Sequence, residues 1–185
     1  GPTPKLDRSA PAHAVVVNDD VYLVDAGNGV GRQLVRAGLD IDRLRVVAVT
    51  HYHSDHVADL GTVLLLAWGT GLTSTVRVIG PKPLRKMIES YLDFADVDVQ
   101  TRIADEARPD PRGLIDVHEL SGVGRVYEDE NVRISTCLVD HPPMIAHAYR
   151  IDAPDRSYVF SGDTTPNDDL IALAEGADVL VQEVM

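Results

Sequence analysis

THYHSDH, at residues 50–56, is the stretch from which the rest of this chain can be interpreted. It places three imidazoles and one carboxylate within six positions, directly after the apolar run Val46–Val49. That run is short and mostly β-branched, which is typical of a buried strand. On an extended chain His51 and His53 point to the same side, so both rings can face one ion.

A helix is expected to follow this stretch at once. Ser54 and Asp55 suit a helix start, and residues 56–68 have the composition of a helix. The turn between strand and helix can therefore bring Asp55 and His56 close to the first two histidines. Nitrogen and oxygen donors in this mixture suit zinc, with iron or manganese as substitutes. A polar loop that is rich in histidine by chance is the simpler alternative, but the spacing and the strand end favour a metal site.

The stretch resembles the His-x-His-x-Asp-His signature of the metallo-β-lactamase superfamily. Three further segments fall in the order that this family shows: Asp25-Ala26-Gly27 upstream, and His141 and Ser161–Thr164 downstream. The resemblance covers nearly the whole chain. It implies an α/β fold of the α+β type, in which residues 1–185 form one domain, a four-layer αββα sandwich.

The resemblance also implies which residues hold two metal ions. The first ion would be bound by three imidazoles, those of His51, His53 and His141. The second ion would be bound by Asp55 and His56. Asp163 would bridge the two ions, with one oxygen on each.

Two more carboxylates are expected behind these ligands. By resemblance, Asp25 would steady a metal-bound imidazole, a role that such partners commonly have; its alternative role is that of a turn residue. Glu183 resembles a carboxylate that pairs with a distal histidine in related nucleases and sulfatases. Asp163 itself has an alternative role as the cap of the helix expected at 167–174.

Two other side chains compete for a place among the ligands. His147 could replace His141, but the two prolines directly after His141 would restrict its backbone and favour it as the ligand. Cys137 is the single cysteine of the chain, which excludes an internal disulfide framework. It lies in an alternating apolar run, so a strand thiol is favoured over a thiolate ligand.

The reaction implied by the resemblance is metal-assisted hydrolysis. A hydroxide held between two zinc ions, or between manganese or iron ions, is a strong nucleophile at neutral pH. The same ions stabilise the charge that develops on the substrate. Asp55 would accept a proton during the attack. The expected substrate is a small ester: a sulfate ester, a phosphodiester, a carboxyl ester or a lactone.

The surroundings of the motif look most like the branch that contains ribonuclease Z and arylsulfatases. One family feature is absent, because the second metal normally takes one more histidine and none follows His147. The run Val179–Met185 has the pattern of a strand that has just ended, so the chain is expected to be incomplete at its C-terminus. The alternative function is a mononuclear iron dioxygenase, or a metal-binding relative that has lost catalysis.

Composition gives expectations about partners. The 185 residues carry a formal net charge of −12, and the pI is about 4.8. Nucleic-acid binding normally needs a basic face, and the chain has no equivalent of the basic, glycine-rich arm of transfer-RNA processing enzymes. We therefore expect a small-molecule substrate rather than a nucleic acid. A homodimer is also an option, since dimers are common in the family.

The sequence also gives expectations about location. The longest apolar run, Val63–Trp68, is far shorter than the roughly 20 residues that cross a membrane. The start lacks a basic segment followed by an apolar one, so we expect a cytoplasmic protein unless the native N-terminus is missing. Gly1–Pro4 is either a tag remnant or a glycine-rich loop.

The remaining pattern predicts alternating strands and helices, as α/β proteins show. A hairpin is expected from His13–Val17 and Val21–Asp25, joined by an Asn-Asp-Asp turn. Helices are expected at 31–37, 81–94 and 167–174. Further strands are expected at 76–80, 97–103, 114–120, 125–127, 132–139 and 157–161, with a polar loop at 104–112.

Overall fold

Two five-stranded sheets dominate the computed structural model, which describes residues 3–184. Gly1, Pro2 and Met185 lie outside the described residues. The interpretations of Gly1–Pro4 and of the chain end at Met185 therefore fall partly outside the structure.

The first sheet holds five strands in sequence order. They are β1 (His13–Val17), β2 (Asp20–Val24), β3 (Leu44–Ala48), β4 (Val76–Gly80) and β5 (Ile115–Glu119). β1 and β2 form an antiparallel hairpin, whereas β2 to β5 are parallel neighbours. Every residue of β2 is buried, as expected of a strand that is covered on both faces. Because β2 to β5 are parallel, the turns that follow them lie along one edge of the sheet.

The second sheet holds the other five strands. They are β6 (Gly124–Glu128), β7 (Arg133–His141), β8 (Met144–Asp152), β9 (Ser157–Phe160) and β10 (Val179–Val181). β6 to β9 are antiparallel neighbours, and β10 is parallel to β9. β7 and β9 therefore run in the same direction and end at the same edge.

Six α-helices connect these strands. They are α1 (Val30–Arg36), α2 (Ser54–Val57), α3 (Leu60–Thr70), α4 (Leu84–Phe94), α5 (Asp96–Glu106) and α6 (Asp168–Ala174), with short 3₁₀ turns at Ile41–Arg43 and Pro111–Gly113. α1, α3 and α4 share an apolar cluster with the first sheet, and α6 shares another with the second sheet. The inner faces of the two sheets meet in a third cluster, which includes Tyr22, Tyr149 and Phe160. This order of layers confirms the predicted αββα sandwich.

Residues 97–103 belong to helix α5, so the strand predicted there is wrong. The alternation of Val97 and Val99 suggested a strand, but Val97 is 82% exposed while Val99 is buried. Arg102 forms ion pairs with carboxylates one helical turn away in both directions, which stabilises a helix. An alternation of two valines over four residues is too short to establish a strand, since on a helix the same two positions lie on opposite sides.

The helix predicted at residues 56–68 is divided in two. α2 ends at Val57 and α3 begins at Leu60. Asp59 occupies the junction: its backbone N–H donates to the Ala26 carbonyl oxygen at 2.9 Å, and its carboxylate accepts from the Gly29 N–H at 2.6 Å. The junction is thereby held against the turn that follows β2.

None of the helices in residues 3–184 could span a bilayer. The longest have 11 residues, whereas a spanning helix needs about 20 apolar residues. A cytoplasmic location stays a prediction from the sequence.

Candidate metal centre

The candidate ligands lie in turns at one edge of the two sheets. His51 and His53 follow β3, and His141 is the last residue of β7. Asp163 follows β9. The first sheet thus supplies the motif histidines, and the second sheet supplies the two ligand candidates that lie far along the chain.

Two hydrogen bonds join the sheets next to these turns. The backbone N–H of His147 donates to the Thr50 carbonyl oxygen at 3.0 Å. The hydroxyl of Tyr149, which is fully buried, donates to the Val49 carbonyl oxygen at 2.9 Å. Both acceptors directly precede His51, so the end of β3 is fixed to the second sheet before the first candidate ligand.

Three imidazoles and one carboxylate converge in what we call the first group: His51, His53, His141 and Asp163. One ligand atom of each lies within 4.8 Å of the others. His53 Nδ1 lies 3.0 Å from both His51 Nε2 and His141 Nε2. His51 Nε2 lies 3.9 Å from Asp163 Oδ2.

The first group fits a metal ion by the chemistry of its donors. A neutral imidazole has one N–H and one acceptor nitrogen, so His53 Nδ1 cannot donate to both neighbouring nitrogens. A cation among the three nitrogens would accept a lone pair from each. Nitrogens bound at about 2.1 Å to a tetrahedral zinc ion lie roughly 3.4 Å apart, close to the 3.0 Å spacing here.

Thr50, which the sequence analysis did not single out, orients the fully buried His51. Its hydroxyl lies 3.0 Å from His51 Nδ1 and 2.9 Å from Asp25 Oδ2. An ionised carboxylate only accepts, so the hydroxyl donates to Asp25 and accepts from the Nδ1–H of His51. The lone pair of His51 Nε2 is then directed into the first group. Its place directly before the first histidine of the motif is a sequence feature that could have indicated this role.

Asp55 and His56, with Asp163 shared, form what we call the second group. His56 Nδ1 donates to Asp25 Oδ2 at 2.7 Å. His56 Nε2 lies 3.2 Å from Asp163 Oδ1 and 3.8 Å from Asp55 Oδ2, but it makes no well-directed hydrogen bond to any described residue. A buried nitrogen that faces two carboxylates without such a bond fits a cation bound between them.

Protonation differs between the two groups. Burial, together with the neighbouring His56, lowers the pKa of His51 to about 4. Burial also lowers the pKa of His56, but the carboxylates of Asp163 and Asp25 outweigh this effect and raise that pKa to about 10. The contact with His56 lowers the pKa of Asp163 to about 2. At neutral pH in the absence of metal, His51 is therefore neutral and His56 is protonated.

The turn that carries Asp163 is held on both sides. Gly162 has a φ of +60°, which favours glycine. The carboxylate of Glu183 accepts from the Thr164 backbone N–H, and the Glu183 N–H donates to Ser161 Oγ. Glu183 therefore contacts the turn of Asp163. Among residues 3–184, none of its contacts is with a histidine of the kind that the resemblance implied.

His147 and Cys137 lie outside both groups. His147 is 3% exposed, and its Nδ1 lies 3.2 Å from Thr136 Oγ1. Cys137 is buried in the layer that contacts α6, and burial raises the pKa of its thiol to about 11. Asp25, in contrast, contacts His56 of the second group directly, and it reaches His51 of the first group only through the Thr50 hydroxyl.

A family model described as the metallo-beta-lactamase superfamily matches residues 8–182. The chain belongs to the metallo-β-lactamase superfamily. It is a hydrolase of the metallo-β-lactamase fold, and its group of histidine and aspartate side chains is a metal-binding group.

Ribonucleases are among the proteins most similar to this metallo-β-lactamase-fold hydrolase. Ribonuclease Z of Mycobacterium bovis is 35% identical over 188 residues, which cover 100% of this chain and 67% of the relative. Human tRNase Z, short form, has a TM-score of 0.76 at 19% identity, over 96% of this chain and 72% of that chain. A metallo-β-lactamase fold protein from Bacillus subtilis has a TM-score of 0.73 at 20% identity, over 97% and 65%.

These relatives confirm the ribonuclease Z part of the resemblance, whereas the arylsulfatase part has no support among them. They also overturn the expectation of a small-molecule substrate rather than a nucleic acid. The relatives named above include ribonucleases, whose substrate is RNA, so that prediction is wrong. Net charge was a poor guide because it sums charges that act in different places. Carboxylates at the metal centre, such as Asp25, Asp55 and Asp163, count fully in the sum, although bound cations would offset them locally.

Proposed function

We propose that this chain is a metal-dependent phosphodiesterase that hydrolyses RNA. The observation that carries the proposal is the convergence of three imidazoles and a carboxylate within 4.8 Å. It occurs in a chain that is 35% identical to ribonuclease Z of Mycobacterium bovis. The relative's activity gives the substrate class, and the convergence gives the means of attacking a phosphodiester.

Two zinc ions would occupy the two groups. His51, His53 and His141 would hold one ion, Asp55 and His56 would hold the other, and Asp163 would contact both. Bound there, the ions would acidify a water molecule and neutralise the charge that develops on the phosphate. Manganese or iron would suit the same donors.

The remaining tasks fall to side chains of the chain itself. Asp55 is 8% exposed and lies beside His56, where it would accept the proton that is released during attack on the phosphate. Asp25 would keep the His56 ring in place through the 2.7 Å hydrogen bond to Nδ1. Thr50 would do the same for His51. Such partners fix the ring orientation and the tautomer of a ligand histidine.

The first experiment measures metal content and hydrolysis on the same sample. Protein purified without chelator is analysed by mass spectrometry for metals and assayed on a fluorescent RNA oligonucleotide. Bis(p-nitrophenyl) phosphate, p-nitrophenyl sulfate and p-nitrophenyl acetate are assayed in parallel. We expect two zinc ions per chain and turnover of the RNA and the phosphodiester, both lost after chelation and restored by zinc.

Other outcomes would contradict the proposal in distinguishable ways. Turnover of the sulfate or the acetate without turnover of RNA would exclude a ribonuclease. A single iron with oxygen-dependent turnover would support the dioxygenase alternative. One bound metal with no turnover, before or after added zinc, would support a metal-binding relative without catalysis.

A further inference from the structure

Two lysines at the start of α4, Lys82 and Lys86, differ from most cations of this chain. Ten of the 17 lysine and arginine side chains form ion pairs with carboxylates among the described residues; all ten are arginines. Lys82 and Lys86 form none in that part of the chain, and both are exposed. In a protein with a net charge of −12, two free cations four residues apart are available to an anionic partner.

The turn that carries Lys82 borders the metal-binding motif directly. Tyr52 lies between His51 and His53. Its hydroxyl donates a hydrogen bond to the Pro81 carbonyl oxygen. The backbone N–H of Val49 donates to the Ile79 carbonyl oxygen at 2.7 Å. A polymer that reaches the metal centre across Tyr52 would therefore meet Lys82 next.

Arg85 fixes this turn rather than serving as a third free cation. Its guanidinium donates to the Val117 carbonyl oxygen at 2.8 Å, and its backbone N–H donates to the Glu119 carboxylate at 3.1 Å. These contacts fix the start of α4, which carries Lys86, against β5.

A groove of about 590 Å³ continues from Lys86 along α4. It is lined by Pro83, Lys86, Met87, Ser90, Tyr91 and Phe94. Phe94 is 84% exposed, so its ring is accessible to a ligand. Tyr91, which also lines the groove, forms a 2.9 Å hydrogen bond with the hydroxyl of Thr62. Lysines beside an exposed aromatic ring match the backbone and bases of a single strand.

We propose that Lys82, Lys86 and the groove at Phe94 form a docking surface for the single-stranded part of an RNA substrate. The two ammonium groups contact consecutive parts of the phosphate backbone, and a base stacks on the Phe94 ring. The surface lies on α4 and on the turn that precedes it, outside both metal groups. This inference rests on the proposed ribonuclease function for the identity of the polymer.

The test compares two double variants with the same change in charge. Lys82→Gln/Lys86→Gln removes the two free cations, whereas Arg133→Gln/Arg156→Gln removes two exposed cations at the opposite edge of the sheets. We expect the first variant to lose roughly tenfold in kcat/KM on RNA and nothing on bis(p-nitrophenyl) phosphate. For this variant, the slope of log(kcat/KM) against log[salt] should become less steep by about 1.4, or about 0.7 per lost contact. The control should match the unsubstituted enzyme.

Binding is measured separately from turnover by fluorescence anisotropy of the RNA in an Asp163→Ala background. Phe94→Ala should weaken this binding at least about fivefold and leave its salt dependence unchanged, because stacking is not ionic. Equal behaviour of the two double variants would overturn the proposal, even if RNA is cleaved. Tighter binding of a polyglutamate peptide than of RNA would also overturn it, in favour of an acidic protein partner. Cleavage of bis(p-nitrophenyl) phosphate without cleavage of RNA would instead count against the proposed function.

Discussion

The two halves of the metal centre are built in different ways. The first group combines side chains from three separate turns, after β3, at the end of β7 and after β9. The second group draws Asp55 and His56 from one short segment, α2, and shares Asp163 with the first. The first group therefore depends on how the two sheets meet, whereas the second depends on one turn and the carboxylate of Asp25 behind it. Substitutions should separate these two kinds of dependence.

Asp163→Ala should have the largest effect because this residue is common to both groups. We expect loss of paired metal binding. Phosphodiesterase activity should fall on the order of a thousandfold, which is three factors of ten, each equivalent to 1.36 kcal/mol of lost transition-state stabilisation. Metal analysis and initial rates on the same samples would measure this. Asp155→Ala, at an exposed carboxylate in the β8–β9 turn, is the control. An active Asp163→Ala protein with two metals per chain would refute the shared role.

His141→Ala and His147→Ala test the membership of the first group. His141 contributes Nε2 to the group, so its loss should remove one metal and reduce activity roughly a hundredfold or more. His147 contacts Thr136 instead, and its loss should leave the metal content unchanged while lowering the melting temperature by several degrees. Metal analysis with thermal unfolding measures both effects. Metal loss in His147→Ala alone would show that the ligand was chosen wrongly.

Asp25→Asn and Thr50→Val should each weaken a different group. Asp25→Asn weakens the hold on His56, so affinity for the second metal should fall about 10- to 100-fold. Thr50→Val removes the hydroxyl that orients His51, so affinity for the first metal should fall by a smaller factor, and Thr50→Ser should restore it. Competition with a chromophoric zinc chelator resolves the two affinities. Equal losses at both metals in both variants would mean that the groups are not separable.

Proton release on metal binding should also distinguish the two groups, and this is the smallest of the expected effects. The pKa of His56 is raised to about 10, so its proton is present at neutral pH and a metal must displace it. Affinity at the second group should therefore fall about tenfold for each pH unit below 10. His51, with a pKa of about 4, has already lost its proton. Zinc added to weakly buffered, metal-free protein near about pH 7.5 should release one proton from His56 with the second equivalent. Equal release with both equivalents would contradict this difference.

The sign of the stability effect follows from the same shift. A histidine whose pKa is raised on folding stabilises the metal-free protein fully below pH 6.5, the ordinary value. That stabilisation is lost as the pH rises through about 10. Chemical unfolding of the metal-free protein at several pH values should show the decline, and the Asp25→Asn variant should show less of it.

The sequence predicted the local structure around the motif, because a strand, a turn and a helix start are encoded by adjacent residues. The apolar run before His51 predicts a strand, and the residues after His53 predict a helix start, without reference to any distant part of the chain. Nothing local indicates that His141 and Asp163, about 90 and 110 positions on, reach the same point. Their placement came from family resemblance, and the role of Thr50 emerged only from its contacts.

The misjudged elements were those that tertiary contacts determine. β8 pairs with β7 along its whole length but carries Arg150 and His147, so its sequence gave no clean alternation. Residues 97–103 alternate like a strand, yet they pair with neither sheet, and ion pairs at helical spacing stabilise α5. The error about nucleic acid had a similar origin, because a net charge contains no information about where in the fold the carboxylates and cations lie.

Among the described residues, the backbone crosses from one sheet to the other once, between β5 and β6. Each sheet contributes part of the candidate metal-binding group, so a bound ion would add a reversible cross-link between the halves of the molecule. If the proposed zinc site is correct, a protein cut in the segment 121–123 should form a pair of fragments whose association zinc strengthens. Fragment association measured with zinc and with chelator would reveal this effect, and association of equal strength in both would show that apolar packing alone joins the halves.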